Sequence, residues 1–126
     1  QFAATSLTAE NRSLCTPVSI QTLTSTGDFQ DHVSMGLIGA RRARDILRNT
    51  RLITAFELIC ACQAADIRGS DQLSSKTLEV LQLVREKIPY LDRDLPLTDP
   101  LEVVADLIQS GTMLELLDKD SPAMEW

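Results

Sequence analysis

Apolar residues recur at helical spacing along most of this chain, and no stretch of any length alternates as a strand would. The clearest case is the proline-free run 28–69. Its first half carries Val33, Leu37, Ala40 and Leu47, with Ile38 and Ile46 one row over, while Arg41, Arg42, Arg44, Arg48 and Arg51 fill much of the rest. Its second half, 52–67, is apolar nearly all round, interrupted by Thr54, Glu57, Gln63 and Asp66. A helix apolar on every side is buried on every side. Unbroken, 28–69 is too long for a compact domain of this size, so the pattern predicts a kink or a place in something larger. Asp28 reads as the N-cap of this helix and Gly69 as its left-handed C-cap.

Shorter helices flank it. Phe2, Leu7 and Leu14 mark a helix over 2–14, which Thr16-Pro17 should end because the residue before proline disfavours the α region. The Ser- and Thr-rich segment 18–27 reads as a loop or short extended piece. Beyond Gly69, Ser74 or Ser75 is placed to cap a helix with Leu78, Leu81, Val84 (or Arg85) and Ile88 on one face, closed by Pro89. A charged loop, 90–97, follows. Asp99 then reads as a cap, Pro100 as the first helical residue, Leu97 with Val103 as a hydrophobic staple, and Leu101, Val104, Leu107 and Ile108 as the buried stripe. Gly111 closes that helix, 113–117 adds a short one, and the tail to Trp126 should fray. The expected fold is all-α: a long central helix packed in a helical bundle, with shorter C-terminal helices. The expected organisation is a helix end and loop over 1–27, the core helix over 28–69, and shorter helices and tail over 70–126.

Composition narrows the function classes. A chain of 126 residues holds one domain at most. Its 18 acidic residues outnumber its 12 basic ones, for a net charge of −6, which argues against nucleic acid as the main partner. The arginine cluster at 41–51 reads as a helix face paired to carboxylates. The run 52–67 is too short and too charged to cross a bilayer. Three cysteines, an odd number, make no disulfide framework and fit a reducing cytoplasm. Gln1-Phe2-Ala3-Ala4 reads as helix interior without a cap, so a longer polypeptide is expected upstream.

Few residues suggest chemistry by type. His32 is the single histidine, a residue type that invites a catalytic reading. Asp31, His32 and Ser34 are too close in sequence to form a triad on a helix, so His32 is expected to cap or to sit at the core edge. Cys60 and Cys62 lack metal-ligand spacing and are expected as small buried side chains; no metal site is expected. Glu57, inside the apolar run, is expected to be buried against an arginine or a helix end, with proton transfer as the alternative role.

Several segments carry a resemblance. They are Ala9-Glu10-Asn11, Pro17-Val18-Ser19, Gln30-Asp31-His32-Val33-Ser34-Met35-Gly36, Ala61-Cys62-Gln63-Ala64-Ala65-Asp66-Ile67-Arg68, and Asp92-Arg93-Asp94 with Pro96-Leu97. Together they resemble the C-terminal half of the histidine/phenylalanine/tyrosine ammonia-lyase family. The resemblance implies a homotetramer that eliminates ammonia from an aromatic amino acid, with active sites shared between subunits. It also implies an electrophile, 4-methylideneimidazole-5-one (MIO), formed from an internal Ala-Ser-Gly.

No Ala-Ser-Gly occurs here, the family's Gln-x-x-Tyr-x-x-Arg clamp is absent, and the one tyrosine is Tyr90. The resemblance therefore implies no catalytic residue and no cofactor site in this segment, only a contribution to a fuller enzyme. It does place Gln30 in the substrate pocket. Histidine lyases of the family usually have Glu there, whereas phenylalanine and tyrosine members, aminomutases included, tend to have Gln. Phe29 stands where Asn or Gln is common, so an amide contact is lost. Gln63, Asp66 and Arg68 match the family and read as helix-packing polar contacts. The isolated chain is expected to self-associate, because its short helices cannot cover 52–67. The same residues also fit an aminomutase of this family, or a non-catalytic helical interaction module.

Overall fold

The computed structural model describes residues 1–118; the tail expected to fray lies outside the described residues. Among the described residues, five α-helices and one short 3₁₀ turn (Val18–Gln21) account for the regular structure. They are α1 (Phe2–Leu14), α2 (Gly36–Arg68), α3 (Ser75–Lys87), α4 (Thr98–Ser110) and α5 (Thr112–Asp118). Among the described residues there is no β-strand, only an isolated antiparallel bridge between Ser25 and Gln30. The all-α expectation holds, and α2 is a single uninterrupted helix. The chain divides into two compact units, Gln1–Ile53 and Thr54–Trp126.

In the first unit α2 opens later than its sequence pattern suggests. Thr26, Gly27 and Asp28 all have positive φ, at 56°, 59° and 66°. The helix opens only at Gly36, so Asp28, in this left-handed run eight residues upstream, is not its N-cap. The first α2 bond instead runs from the Gly39 amide to the Met35 carbonyl at 3.0 Å, and Met35 is itself left-handed, at φ 54°. The α1 helix buries none of its residues. It is tied to α2 by polar contacts: Asn11 Nδ2 donates to Thr50 Oγ1 at 3.3 Å, and Arg42 Nη1 donates to the carbonyl of Thr16, just beyond α1, at 2.8 Å. Asn49 is buried beside them.

The second unit holds the apolar core. Ala55, Ile59 and Cys62 of α2 lie at i, i+4 and i+7 on one face and are buried. Leu81, Val84 and Ile88 from α3, and Leu101, Val104 and Ala105 from α4, complete it; Val84 and Val104 are fully enclosed. The helices α3, α4 and α5 pack on one another.

Local chemistry sets the ends of these helices. Gly69, at φ 90°, follows α2, and Gly111, at φ 80°, caps α4. Ser74 caps α3, its Oγ accepting from the Thr77 amide at 3.3 Å. The Leu101 amide bonds to the Leu97 carbonyl at 2.9 Å, so α4 begins ahead of Asp99. Asp99 and Pro100 therefore sit within the first turn, where proline has no helical hydrogen bond to lose. Val103 is exposed rather than stapled.

The face of α2 left over in this unit is uncovered. Thr54, Glu57, Cys60, Ala61, Ala64 and Ile67 are exposed. Glu57 is therefore not the buried carboxylate its sequence context suggests, because burial follows the face that α3 and α4 meet. Cys60, expected in the interior with Cys62, is on the open side.

Candidate functional site

Two places concentrate polar groups, one in each unit. In the first unit the chain between the 3₁₀ turn and α2 closes into a tight loop. The Ser25 amide donates to the Gln30 carbonyl at 2.9 Å, the Gln30 amide donates to the Ser25 carbonyl at 3.2 Å, and the Phe29 amide donates to Thr26 at 3.2 Å. The Val33 amide donates to Thr22 Oγ1 at 2.8 Å and ties down the loop's exit. A β-branched residue at positive φ, such as Thr26, is a genuine outlier, and strain of this kind concentrates at functional sites.

The loop holds Phe29 and Gln30 side by side. The Gln30 backbone is committed to the bridge, while its side chain is exposed and makes no hydrogen bond to a described residue. Phe29 is 86% exposed. His32 is also exposed, so of its two expected roles, capping or core edge, the core-edge one does not hold. This loop can present an amide and an aromatic ring to a ligand; it contains no general base in hydrogen-bonded reach of a nucleophile.

The second place lies where the end of α2 meets the α3–α4 connection. Gln63 grips the backbone of Leu91 from both sides, Nε2 donating to the carbonyl at 2.9 Å and Oε1 accepting from the amide at 3.2 Å. Arg85 ties α3 to α2. Its Nε donates to Asp66 Oδ2 at 2.7 Å, its Nη2 to Gln63 Oε1 at 3.3 Å, and its Nη1 to the Ile88 carbonyl at 3.1 Å. Gln63 and Asp66 are thus the packing contacts expected of them. Arg85 was legible only as an ambiguous stripe position beside Val84, because its partners are distant in sequence. A cavity of about 470 Å³ opens next to this network, lined by Gln63, Leu91, Asp92, Arg93, Asp94, Leu95 and Leu97. No group of three or more His, Cys, Asp or Glu side chains among the described residues is arranged to hold a metal ion.

Cys62 packs beneath the network. Burial pushes its thiol up, the nearby Arg85 guanidinium pulls it down, and Asp66 adds to the rise. An unfolded chain therefore loses this proton first. The thiol's contribution to stability is intact below about pH 9.0 and declines as the pH climbs past it. Under native conditions iodoacetamide should modify exposed Cys15 and Cys60 well before Cys62, as read by a mass-spectrometric time course. Equal rates at Cys60 and Cys62 would show that the packed face is open.

Residues 1–86 match the model of the aromatic amino acid lyase family. The chain belongs to that family. A tyrosine ammonia-lyase of Cupriavidus metallidurans is 48% identical over 93% of the chain but only 22% of its own length. A histidine ammonia-lyase of Natranaerobius thermophilus is 44% identical over 94% of the chain and 24% of its own length. The chain thus spans about a quarter of the curated lyases it matches.

Solved structures agree. A tyrosine aminomutase from Streptomyces globisporus superposes with a TM-score of 0.89 at 41% identity, over 98% of this chain and 23% of that one. A histidine ammonia-lyase from Trypanosoma cruzi gives a TM-score of 0.89 at 30% identity, over 95% of this chain and 24% of that one. This aromatic amino acid lyase segment therefore has the helical fold of both lyases and aminomutases. No helix among its described residues is long and apolar enough to cross a membrane.

Proposed function

We propose that the chain is the C-terminal part of an aromatic amino-acid ammonia-lyase and supplies one wall of its substrate pocket. The observation that carries this is the strained loop 25–30, which holds Gln30 outward within the segment that matches the family. In the elimination the Cα–N bond breaks, a proton leaves Cβ, the Cα=Cβ bond forms and ammonia departs. The electrophile that drives amine loss, MIO, requires an Ala-Ser-Gly that these 126 residues lack. No step of the reaction is therefore assigned to this chain alone. Its own part is to orient the substrate: the Gln30 amide can both donate and accept without charge, which suits the ring of phenylalanine or tyrosine better than an imidazolium.

The parent enzyme on this reading is a homotetramer in the cytoplasm, where its free cysteines stay reduced. The rest of the polypeptide and other subunits cover what the chain leaves open. Such a surface exists in the second unit, where an apolar groove of about 430 Å³ runs between Leu58, Ala61, Val80, Ile108 and Leu117. An aminomutase is the second reading, favoured by the match to tyrosine aminomutase.

The test is complementation. The chain is co-expressed with an upstream lyase segment carrying Ala-Ser-Gly and the Gln-x-x-Tyr-x-x-Arg clamp, and product absorbance is followed with histidine, phenylalanine and tyrosine. Turnover of phenylalanine or tyrosine is expected from the pair and none from the chain alone. An assembled pair that turns over none of the three would overturn the reading, and a β-amino acid product would favour the aminomutase.

A further inference from the structure

Two exposed helical stripes carry opposite charge at the same spacing. On α2, Arg41, Arg44 and Arg48 lie at i, i+3 and i+7, all exposed, beside Leu47, which is 64% exposed. Asp45 is the one carboxylate among residues 36–53, and it meets Arg44 at 3.6 Å while both remain open to solvent. On α4, Asp99, Glu102 and Asp106 also lie at i, i+3 and i+7, all exposed, beside the exposed Val103. That helix, TDPLEVVADLIQS, contains no basic residue.

Like charges one turn apart repel, so each stripe is less favourable alone than against an opposite one. An ordinary solvated helix face intersperses its signs; these two do not. The buried stripes of α3 and α4 meet each other in the core, which turns the acidic row of α4 outward.

We infer that these stripes form a contact between two copies of the chain, the arginine row of α2 in one against the acidic row of α4 in the other. Every copy carries both halves. With the helices in parallel register the pairs are Arg41–Asp99, Arg44–Glu102 and Arg48–Asp106, and Leu47 and Val103 supply the apolar flank. Exposed ion pairs are individually weak, so the contact steers and registers the assembly more than it drives it. The inference rests on the reading that copies of this chain assemble, and it names the surface they use; it does not depend on which amino acid the parent enzyme takes.

The test is sedimentation of the chain as it stands. Raising the salt from about 0.05 M to about 0.5 M should weaken association by about tenfold, as screening removes the three pairs. Two charge-reversed chains are then made: Arg41→Glu with Arg44→Glu and Arg48→Glu, and Asp99→Lys with Glu102→Lys and Asp106→Lys. Each alone places like charges in contact and should associate at least about tenfold more weakly, whereas an equimolar mixture restores complementary pairs and should recover. Circular dichroism checks that both remain helical, and the salt titration of the unaltered chain tests the inference if either does not. A salt-insensitive association, a mixture no tighter than its components, or a chain monomeric throughout would each overturn it. None of these outcomes bears on the complementation assay, so failure of this contact and failure of the lyase reading are told apart.

Discussion

Replacing Arg85 by Met should destabilise the second unit by about 3 kcal/mol. The side chain is largely enclosed, at 17% exposure, and its guanidinium holds Asp66 of α2, Gln63 of α2 and the carbonyl that ends α3. Methionine keeps most of the stem packing and removes every donor. It leaves a carboxylate and a backbone carbonyl without their partner, and hydrogen bonds to a charged group are worth about 1.5–3 kcal/mol each. Solvent reaches the Asp66 carboxylate, which limits the total to the lower part of what two such bonds imply. In a unit of this size the loss should lower the melting temperature by roughly 12–20 °C, read by far-ultraviolet circular dichroism. Arg85→Lys keeps the charge but not the fork and should fall between the two. An unchanged melt for Arg85→Met would mean that α2 and α3 are held together by apolar packing alone.

The largest effect on function is expected at Gln30. In the complemented enzyme, Gln30→Glu should reduce kcat/KM for phenylalanine or tyrosine by about 10- to 100-fold while histidine gains. The substitution changes little in volume, and the side chain makes no hydrogen bond to a described residue, so the loop that holds it should persist. What changes is the charge: a carboxylate beside an apolar ring has no partner, whereas beside an imidazole it stabilises the protonated form. The gain with histidine should therefore grow as the pH falls through the imidazole range. Equal selectivity in the two enzymes would remove Gln30 from the substrate pocket.

The sequence shows the helices well wherever a local signal decides them. Gly69, Ser74 and Gly111 stop or start helices by their own backbone or side chain, and all three are found in those roles. The start of α2 is different. Asp28 has the chemistry of a cap, but the left-handed run from Thr26 to Asp28 is fixed by the pairing of Ser25 with Gln30, a contact that no periodicity records. Glu57 fails for a related reason. An apolar run says that a helix will be covered, not which side its own chain covers. Gln63 could be singled out as a polar residue in an apolar run, yet its grip on Leu91 needs the α3–α4 connection to return to the end of α2. The loop bearing Phe29 and Gln30 was legible through its resemblance, and its strain only through the fold.

The single helix α2 should also keep two clocks. Its residues from 54 onward lie against the core formed with α3 and α4, whereas those from 36 to 53 belong to a unit in which Asn49 is the one buried residue among those described. In the isolated chain, amide hydrogens in the first part should exchange with deuterium through local opening, long before those of residues 55–62, which wait for the whole second unit to open. A helix continuous in space would then be discontinuous in time. In a larger assembly, the first part would be the portion whose exchange slows most when its partners arrive.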